Sequence, residues 1–319
     1  MTNTGFTAGI DVGGTKCLAV IIDPDNNIVA ESRVPTPRGA TALIDMVEAV
    51  AVELIELSGG LDGIGVGVPG QMDLSGRMAF APNLDLGDLP IQQLLEDRLE
   101  VEIVIDNEAN CAAAAELQLG VARGVSDAVL ITLGTGFGNA IIVNGDVSRG
   151  AFGMAGELGH TVVNPSGPEC GCGNRGCLEC YASGSGLQWM AREAVERGET
   201  TRLLALAGGD IENVRGEHVT RAARDGDKAA IGVIDRFSWW LALGLANAVA
   251  ILDPEMVILG GGLVTDWDLF EGRVRSHYDK MVLAGPYRPP LRIEPVALGE
   301  RAGALGAALS ARVHKGFAN

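Results

Sequence analysis

Four cysteines, Cys170, Cys172, Cys177 and Cys180, fall within eleven consecutive positions, and His160 stands ahead of the first with nine residues between them. Thiolates and imidazole are ligands that zinc prefers, four of them in a closed tetrahedron when the site is structural. Gly171, Gly173 and Gly176 give the chain freedom to wrap an ion. His160 with Cys170, Cys172 and Cys177 makes one complete ligand set. Cys177-x-x-Cys180 without His160 makes another, and spacing alone leaves both open. A disulfide knot suits a reducing compartment poorly, and a redox dithiol lacks a thioredoxin-like setting. Glu157 and Glu179 bracket the cluster. Such carboxylates accept hydrogen bonds from sugar hydroxyls, although each alone also suits a solvated surface.

Two glycine-rich turns offer a different chemistry. In "DVGGTK", Asp11 can hold Mg²⁺ through water while the Gly13 and Gly14 amides, Thr15 and Lys16 face phosphate oxygens. In "LGTGFG", Thr135 and Gly136 repeat the plan, and "GGG" at 260–262 ends a further apolar run. Taken singly, each is also an ordinary tight hairpin; neither turn fits the P-loop pattern, and "DVGGTK" does not fit the dinucleotide fingerprint. Asp106 closes the apolar run "VEIVID". A carboxylate at the end of a strand in an α/β sheet points to where ligands bind, and phosphoryl transfer to an alcohol needs a base there. The plainer role for Asp106 is to cap the helix that follows. Asn107 and Glu108 then read as first-turn residues, and Asn83 in "APNLDL" as a loop amide.

These residues need elements to carry them, and the pattern is α/β. "FTAGIDVGGTKCLAVIID" and "AVLITLGTGFGNAIIV" each read as strand, turn, strand, a weak internal echo that suggests two lobes of related build. "ALIDMVEAVAVELIEL" carries Leu43, Met46, Val47, Val50, Ala51 and Leu54 at helical spacing. "IGVGVPG" and "MVILGGG" read as buried strands, "NEANCAAAAELQLG" and "RAGALGAALSARVH" as helices. Aromatics make up only 4%, so the core must rest on Ala, Val, Leu and Ile, with Cys17 and Cys111 as small buried hydrophobes. A net charge of −17 argues against nucleic acid as a partner. The N-terminus lacks the features of a signal peptide. "FSWWLALGLANAVAIL" falls short of the roughly 20 residues of a membrane span and reads as a buried helix. A cytoplasmic protein with no membrane partner is expected.

Together these motifs resemble the ROK family of sugar kinases and sugar-responsive repressors. "DVGGTK", "GVGVPG", "APNL", "DNEAN", "LGTGFG", "GELGH", "CGCGNRGCLE", "YASG" and "ILGGG" follow that family's order across nearly the whole chain. The resemblance implies a two-lobed actin-like ATPase fold, each lobe on a ribonuclease-H-like sheet, with a central ligand cleft. A small lobe would comprise 1–106 closed by a final helix at 302–319, and a large lobe 107–301 would carry the zinc loop.

The resemblance also implies roles. Asp106 would be the general base on a sugar 6-hydroxyl, and Asn83, Asn107, Glu157, His160 and Glu179 would contact the sugar. Asp11, Gly13, Gly14, Thr15, Lys16, Thr135 and Gly136 would serve ATP phosphates and Mg²⁺, with Gly261 and Gly262 near the adenosine. It favours His160 over Cys180 as the fourth zinc ligand. Within the family the sequence is most similar to ATP-dependent glucokinases, which implies conversion of D-glucose to glucose 6-phosphate by a homodimer or homotetramer. Another acceptor, such as N-acetylmannosamine or fructose, and a non-catalytic sugar sensor are the alternatives. Repressor members carry an N-terminal helix-turn-helix, for which a "DVGGTK" starting at residue 11 leaves no room. One departure stands out: Asn139 replaces the last Gly of the usual G-T-G-x-G-G turn.

Overall fold

The computed structural model describes residues 4–81, 86–199 and 202–317. Asn83 lies outside the described residues. The chain forms two compact units, one from residues up to Leu130 with Ala140–Gly156 and Val296 onward, the other from Ile131–Asn139 and Glu157–Pro295.

The chain begins with strands β1 (Thr7–Val12), β2 (Lys16–Ile22) and β3 (Ile28–Pro35), then helix α1 (Ala40–Ser58) and β4 (Gly63–Val68). A small sheet of β5 (Gln71–Met72), β6 (Met78–Ala81) and β7 (Leu86–Leu89) follows, then α2 (Ile91–Glu96), β8 (Ile103–Asn107) and α3 (Glu108–Gln118). Next come β9 (Ala128–Leu133), β10 (Phe137–Val143) and β11 (Asp146–Val147). Helices α4 (Glu179–Ala182), α5 (Gly184–Glu196), α6 (Arg202–Leu206), α7 (Gly216–Arg224) and α8 (Lys228–Leu252) precede β12 (Met256–Gly260). The chain ends with α9 (Trp267–Met281), β13 (Arg292–Pro295) and α10 (Ala302–Phe317).

The first sheet runs β3-β2-β1-β4-β8, an antiparallel meander to which β4 and β8 add in parallel. The second runs β11-β10-β9-β12-β13, the same order place for place. The echo between "IDVGGTKCLAVI" and "ITLGTGFGNAII" is therefore the opening hairpin of each sheet.

The first sheet is covered on both faces, so its strands read as unbroken apolar runs rather than alternating ones. In β2, Cys17, Ala19 and Ile21 join the core beneath α1, with Leu43, Val47, Val50 and Leu54. Their neighbours Leu18, Val20 and Ile22 face the other way, onto Ala304, Leu305, Ala308 and Leu309 of α10. Each buried Leu or Ile side chain contributes about 1.5–3 kcal/mol. In α1 the buried stripe is Leu43, Ile44, Val47, Val50, Ala51 and Leu54, while Met46 is only half-buried.

Helix α10 lies backbone to backbone on the sheet. A Cβ built on Gly9 would come within 1.8 Å of the Ala304 carbonyl oxygen, and one on Gly65 within 1.8 Å of the Ala307 carbonyl oxygen. Neither strand can shift without breaking its ladder. Gly65→Ala is therefore expected to cost about 3 kcal/mol, the top of the usual range for overpacking. Urea unfolding checks this, as a lower midpoint at unchanged slope.

In the second unit the apolar stretch ending at Leu252 is part of a longer helix than its own length suggests. Helix α8 has 25 residues and, by length and composition, could cross a bilayer, with a window of mean hydropathy 1.3. More than half of that window is buried, as expected of a core helix: Phe237, Leu241, Leu245 and Val249 lie inside, against neighbours that include α5, α7 and α9. Several of the scarce aromatics gather at its middle, where Tyr181 stacks on Trp240 at 3.9 Å and meets Trp189 edge-on at 5.9 Å.

Candidate active site and metal centre

In the first unit, β8 ends where α3 begins, and Asp106 and Asn107 occupy that junction. The capping role falls to Asn107, not Asp106: the Asn107 Oδ1 accepts from the Ala109 and Asn110 amides, at 2.8 and 3.4 Å. Its Nδ2 donates to the Gly70 carbonyl at 2.9 Å. Asp106 is thereby left for other work, and it is 8% exposed. Its Oδ1 accepts from the Asn107 amide at 2.7 Å and from Nδ2 of the buried Asn110 at 2.9 Å. Its Oδ2 accepts from Arg149 Nε at 2.8 Å and Nη2 at 2.6 Å. Arg149 follows the two-residue β11, which lies against α3. Asn110 closes the "DNEAN" motif one turn beyond Asp106, whereas Arg149 has no motif signal and only the fold brings it to Asp106.

Asp11 sits on β1, close to the start of α3. Its Oδ1 is buried with no hydrogen-bond partner. Burial pushes its carboxyl up to about 7, with Lys16 pulling the other way. Glu108 opens α3, and burial together with the Asp11 charge pushes it up to about 8. Both approach Gly67 of β4: a Cβ there would lie 3.5 Å from Glu108 Cα and 3.6 Å from Asp11 Oδ1. An orphaned carboxylate oxygen beside a second acid is a donor set that fits a hard divalent cation. Glu108, a first-turn acid by sequence, belongs to this pair. In the hairpin turn the Gly13 amide donates to the Lys16 carbonyl at 3.0 Å, and Gly14, Thr15 and Lys16 are exposed. Lys16 Nζ lies on Glu300 at 2.8 Å.

The second unit joins its phosphate-type turn to the cysteine loop. The Glu179 Oε2 accepts from the Phe137 amide at 2.8 Å, which fixes the acid against the Gly134–Gly136 turn. A Cβ on Gly136 would meet that oxygen at 2.6 Å and would push the Glu179 carboxylate away from the turn. The amide of Gly184 and the hydroxyl of Ser185, which follow α4, reach the Gly134 and Thr135 carbonyls at 2.8 Å each. Asn139, the departure from the usual turn, is buried, and its Oδ1 accepts from the Leu158 amide at 2.7 Å. It holds "GELGH" to β10, a bond no glycine could make. Gly261 has φ +88°, and a Cβ there would meet the Leu133 carbonyl carbon at 2.5 Å, so β12 exits tight against the end of β9. Gly261 and Gly262 are exposed.

His160 closes a single helical turn, Leu158–His160. His160, Cys170, Cys172 and Cys177 bring four ligand atoms within 4.8 Å of one another. Cys172 and Cys177 sulfurs are 3.7 Å apart, and Cys170 Sγ is 3.6 Å from His160 Nδ1. The S–S and S–N edges of a zinc tetrahedron with Zn–S of about 2.3 Å and Zn–N of about 2.0 Å are about 3.8 and 3.5 Å. The donor set fits. Cys180 instead points its thiol at the Glu169 carbonyl oxygen, 3.8 Å away, and burial pushes that thiol up to about 12. The other ring nitrogen of His160, Nε2, lies 3.9 Å from the Glu157 carboxylate. Tyr181 supports the loop from below, its hydroxyl accepting from Asn164 Nδ2 at 3.0 Å.

The ROK family sequence profile matches residues 7–313. The chain is 37% identical over 313 residues to the glucokinase of Streptomyces coelicolor, covering 97% of this chain and 98% of that one. It is 30% identical to the xylose repressor of Bacillus subtilis, over 95% of this chain and 76% of the repressor. Its structure is similar to a ROK family glucokinase from Streptomyces griseus in complex with glucose and AMPPNP, with a TM-score of 0.86, 35% identity and coverage of 97% and 100%.

Proposed function

The chain belongs to the ROK family, and we propose that it is a cytoplasmic enzyme that transfers the γ-phosphoryl group of ATP to the 6-hydroxyl of D-glucose. Its α/β fold is the actin-like ATPase fold of the ROK glucokinases and hexokinases. One observation carries the reading. Asp106 is a buried carboxylate at the end of a parallel strand, held by side chains and backbone that fix both of its oxygens. A positioned carboxylate that caps no helix is what an alcohol nucleophile needs, and likeness to a glucokinase with bound glucose and AMPPNP supplies the substrates.

In this mechanism Glu157 and Glu179 accept hydrogen bonds from glucose hydroxyls and His160 donates one, with Asn107 and Asn83 as further contacts. The amides and side chains at Gly13–Lys16 and at Thr135 and Gly136 bind ATP phosphates, and the adenosine lies near Gly261 and Gly262. Asp11 and Glu108 would hold Mg²⁺, which supplies charge neutralisation at the phosphates. The 6-hydroxyl oxygen bonds to the γ-phosphorus as the bond to ADP breaks, and Asp106 takes the hydroxyl proton. His160, Cys170, Cys172 and Cys177 would hold zinc in a closed site that does no chemistry and stiffens the loop bearing the sugar ligands. The intact Asp106 favours catalysis over the sensing role of the repressors.

The test is a panel of acceptors and donors. Glucose, mannose, fructose and N-acetylmannosamine are each offered with ATP, GTP and polyphosphate, and ADP or sugar phosphate is measured. Glucose with ATP is expected to give the highest kcat/KM. A higher value for another acceptor would reassign the substrate, and no turnover with any pair would reassign the protein to sensing.

A further inference from the structure

Asp106 carries more donors than a working base can keep. A carboxylate offers about four lone-pair positions. The Asn107 amide, the Asn110 amide group and two nitrogens of Arg149 take all four. A hydroxyl that is to lose its proton must donate to one of these oxygens, so one donor has to leave. The first two are built in: Asn107 N–H belongs to the strand–helix junction, and Asn110 is buried in α3. Arg149 differs. Its long side chain is more than a third exposed and follows a two-residue strand. Its third nitrogen, Nη1, rests on the carbonyl of nearby Val147 at 3.2 Å.

Resting on the reading of Asp106 as the base, we propose that Arg149 masks that base in the sugar-free enzyme and yields Oδ2 to the sugar 6-hydroxyl. Parting a charge-assisted pair costs free energy. Glucose offsets that cost with contacts from its other hydroxyls, in the way remote binding energy is used elsewhere. A lone water has no such contacts and leaves the mask in place. The mask therefore suppresses the side reaction, in which a water oxygen bonds to the γ-phosphorus, the bond to ADP breaks and Asp106 takes the water proton. Arg149 acts through Asp106 and is a positioning residue.

The test compares ADP release from MgATP without sugar against glucose phosphorylation. Arg149→Met removes the donors while keeping much of the side-chain bulk. It is expected to raise sugar-independent hydrolysis by roughly tenfold or more, a fraction of what a freed general base can supply. Adding Asp106→Asn to that variant should return hydrolysis to background, a result that loosened packing alone would not give. Arg149→Lys, which keeps a charge but not the two-pronged contact, should fall in between and serves if the Met variant fails to fold. Hydrolysis no faster than wild type in a folded Met or Lys variant that binds glucose overturns the mask. So does hydrolysis that persists in the double variant. Kinase activity that survives Asp106→Asn alone would instead overturn the assignment of the base, so the two failures are distinct.

Discussion

Asp106→Asn is expected to lower kcat for glucose phosphorylation about a thousandfold, within the range that general-base catalysis supplies. That corresponds to about 4 kcal/mol of transition-state stabilisation. The KM for glucose should stay within about threefold, because the proton transfer belongs to the transition state rather than to sugar binding. The substitution keeps the shape of the side chain. The oxygen of the new carboxamide can still accept from the Asn107 amide and from Asn110, but its nitrogen cannot accept from Arg149. Some stability is lost with that pair, so a thermal melt must accompany the kinetics. Turnover near wild type in a folded Asp106→Asn protein would remove Asp106 from the mechanism.

The double substitution Cys170→Ser, Cys172→Ser is expected to abolish binding of about one zinc per chain and to raise the KM for glucose tenfold or more. The loop between Thr161 and Leu178 carries no helix and no extended strand pairing, and its base is tied by the Val163 and Asn164 amides on the Gly176 carbonyl and the Leu178 amide on the Thr161 carbonyl. Without an ion to tie it, the loop loosens around His160 and Glu179. Gly176 shows how tightly it is wound: φ is +68°, and a Cβ would overlap the Asn164 carbonyl. The cores of both units remain, so cooperative unfolding should persist at a lower temperature. Cys180→Ser is the control and should keep full zinc, since that thiol faces a carbonyl oxygen. Zinc retained by the double variant, or lost on Cys180→Ser, contradicts the ligand set. Both outcomes are read by metal analysis of purified protein.

Much of this was legible in the chain because it is local. The hairpins, the strand before Asp106 and the helix after it follow from apolar runs and glycines a few residues apart. The cysteine spacing identified a metal loop but could not choose between His160 and Cys180. That choice depends on where the turn at Leu158–His160 aims the imidazole, and Nδ1 lies 3.6 Å from Cys170 Sγ. Arg149 was illegible for another reason. A lone arginine in a loop has no periodicity, and its partner lies 43 residues away in the chain. The pairing of Glu108 with Asp11 likewise exists only because β1 and β4 lie side by side beneath the start of α3. Asn139 looked like a defect in a phosphate turn; in the fold it is the acceptor that anchors Leu158. The full length of α8 was hidden because its first turns carry Lys228, Asp235 and Arg236, while burial is decided by one face.

The central claim is that glucose receives the phosphoryl group on its 6-oxygen from ATP. Phosphorus NMR of the product formed by wild-type protein from glucose and MgATP tests it directly, with ADP measured in the same sample. One phosphate monoester coupled to the C6 protons, in a one-to-one ratio with ADP, is the result expected. A phosphate on the anomeric oxygen, or ADP released with no sugar phosphate, would contradict it.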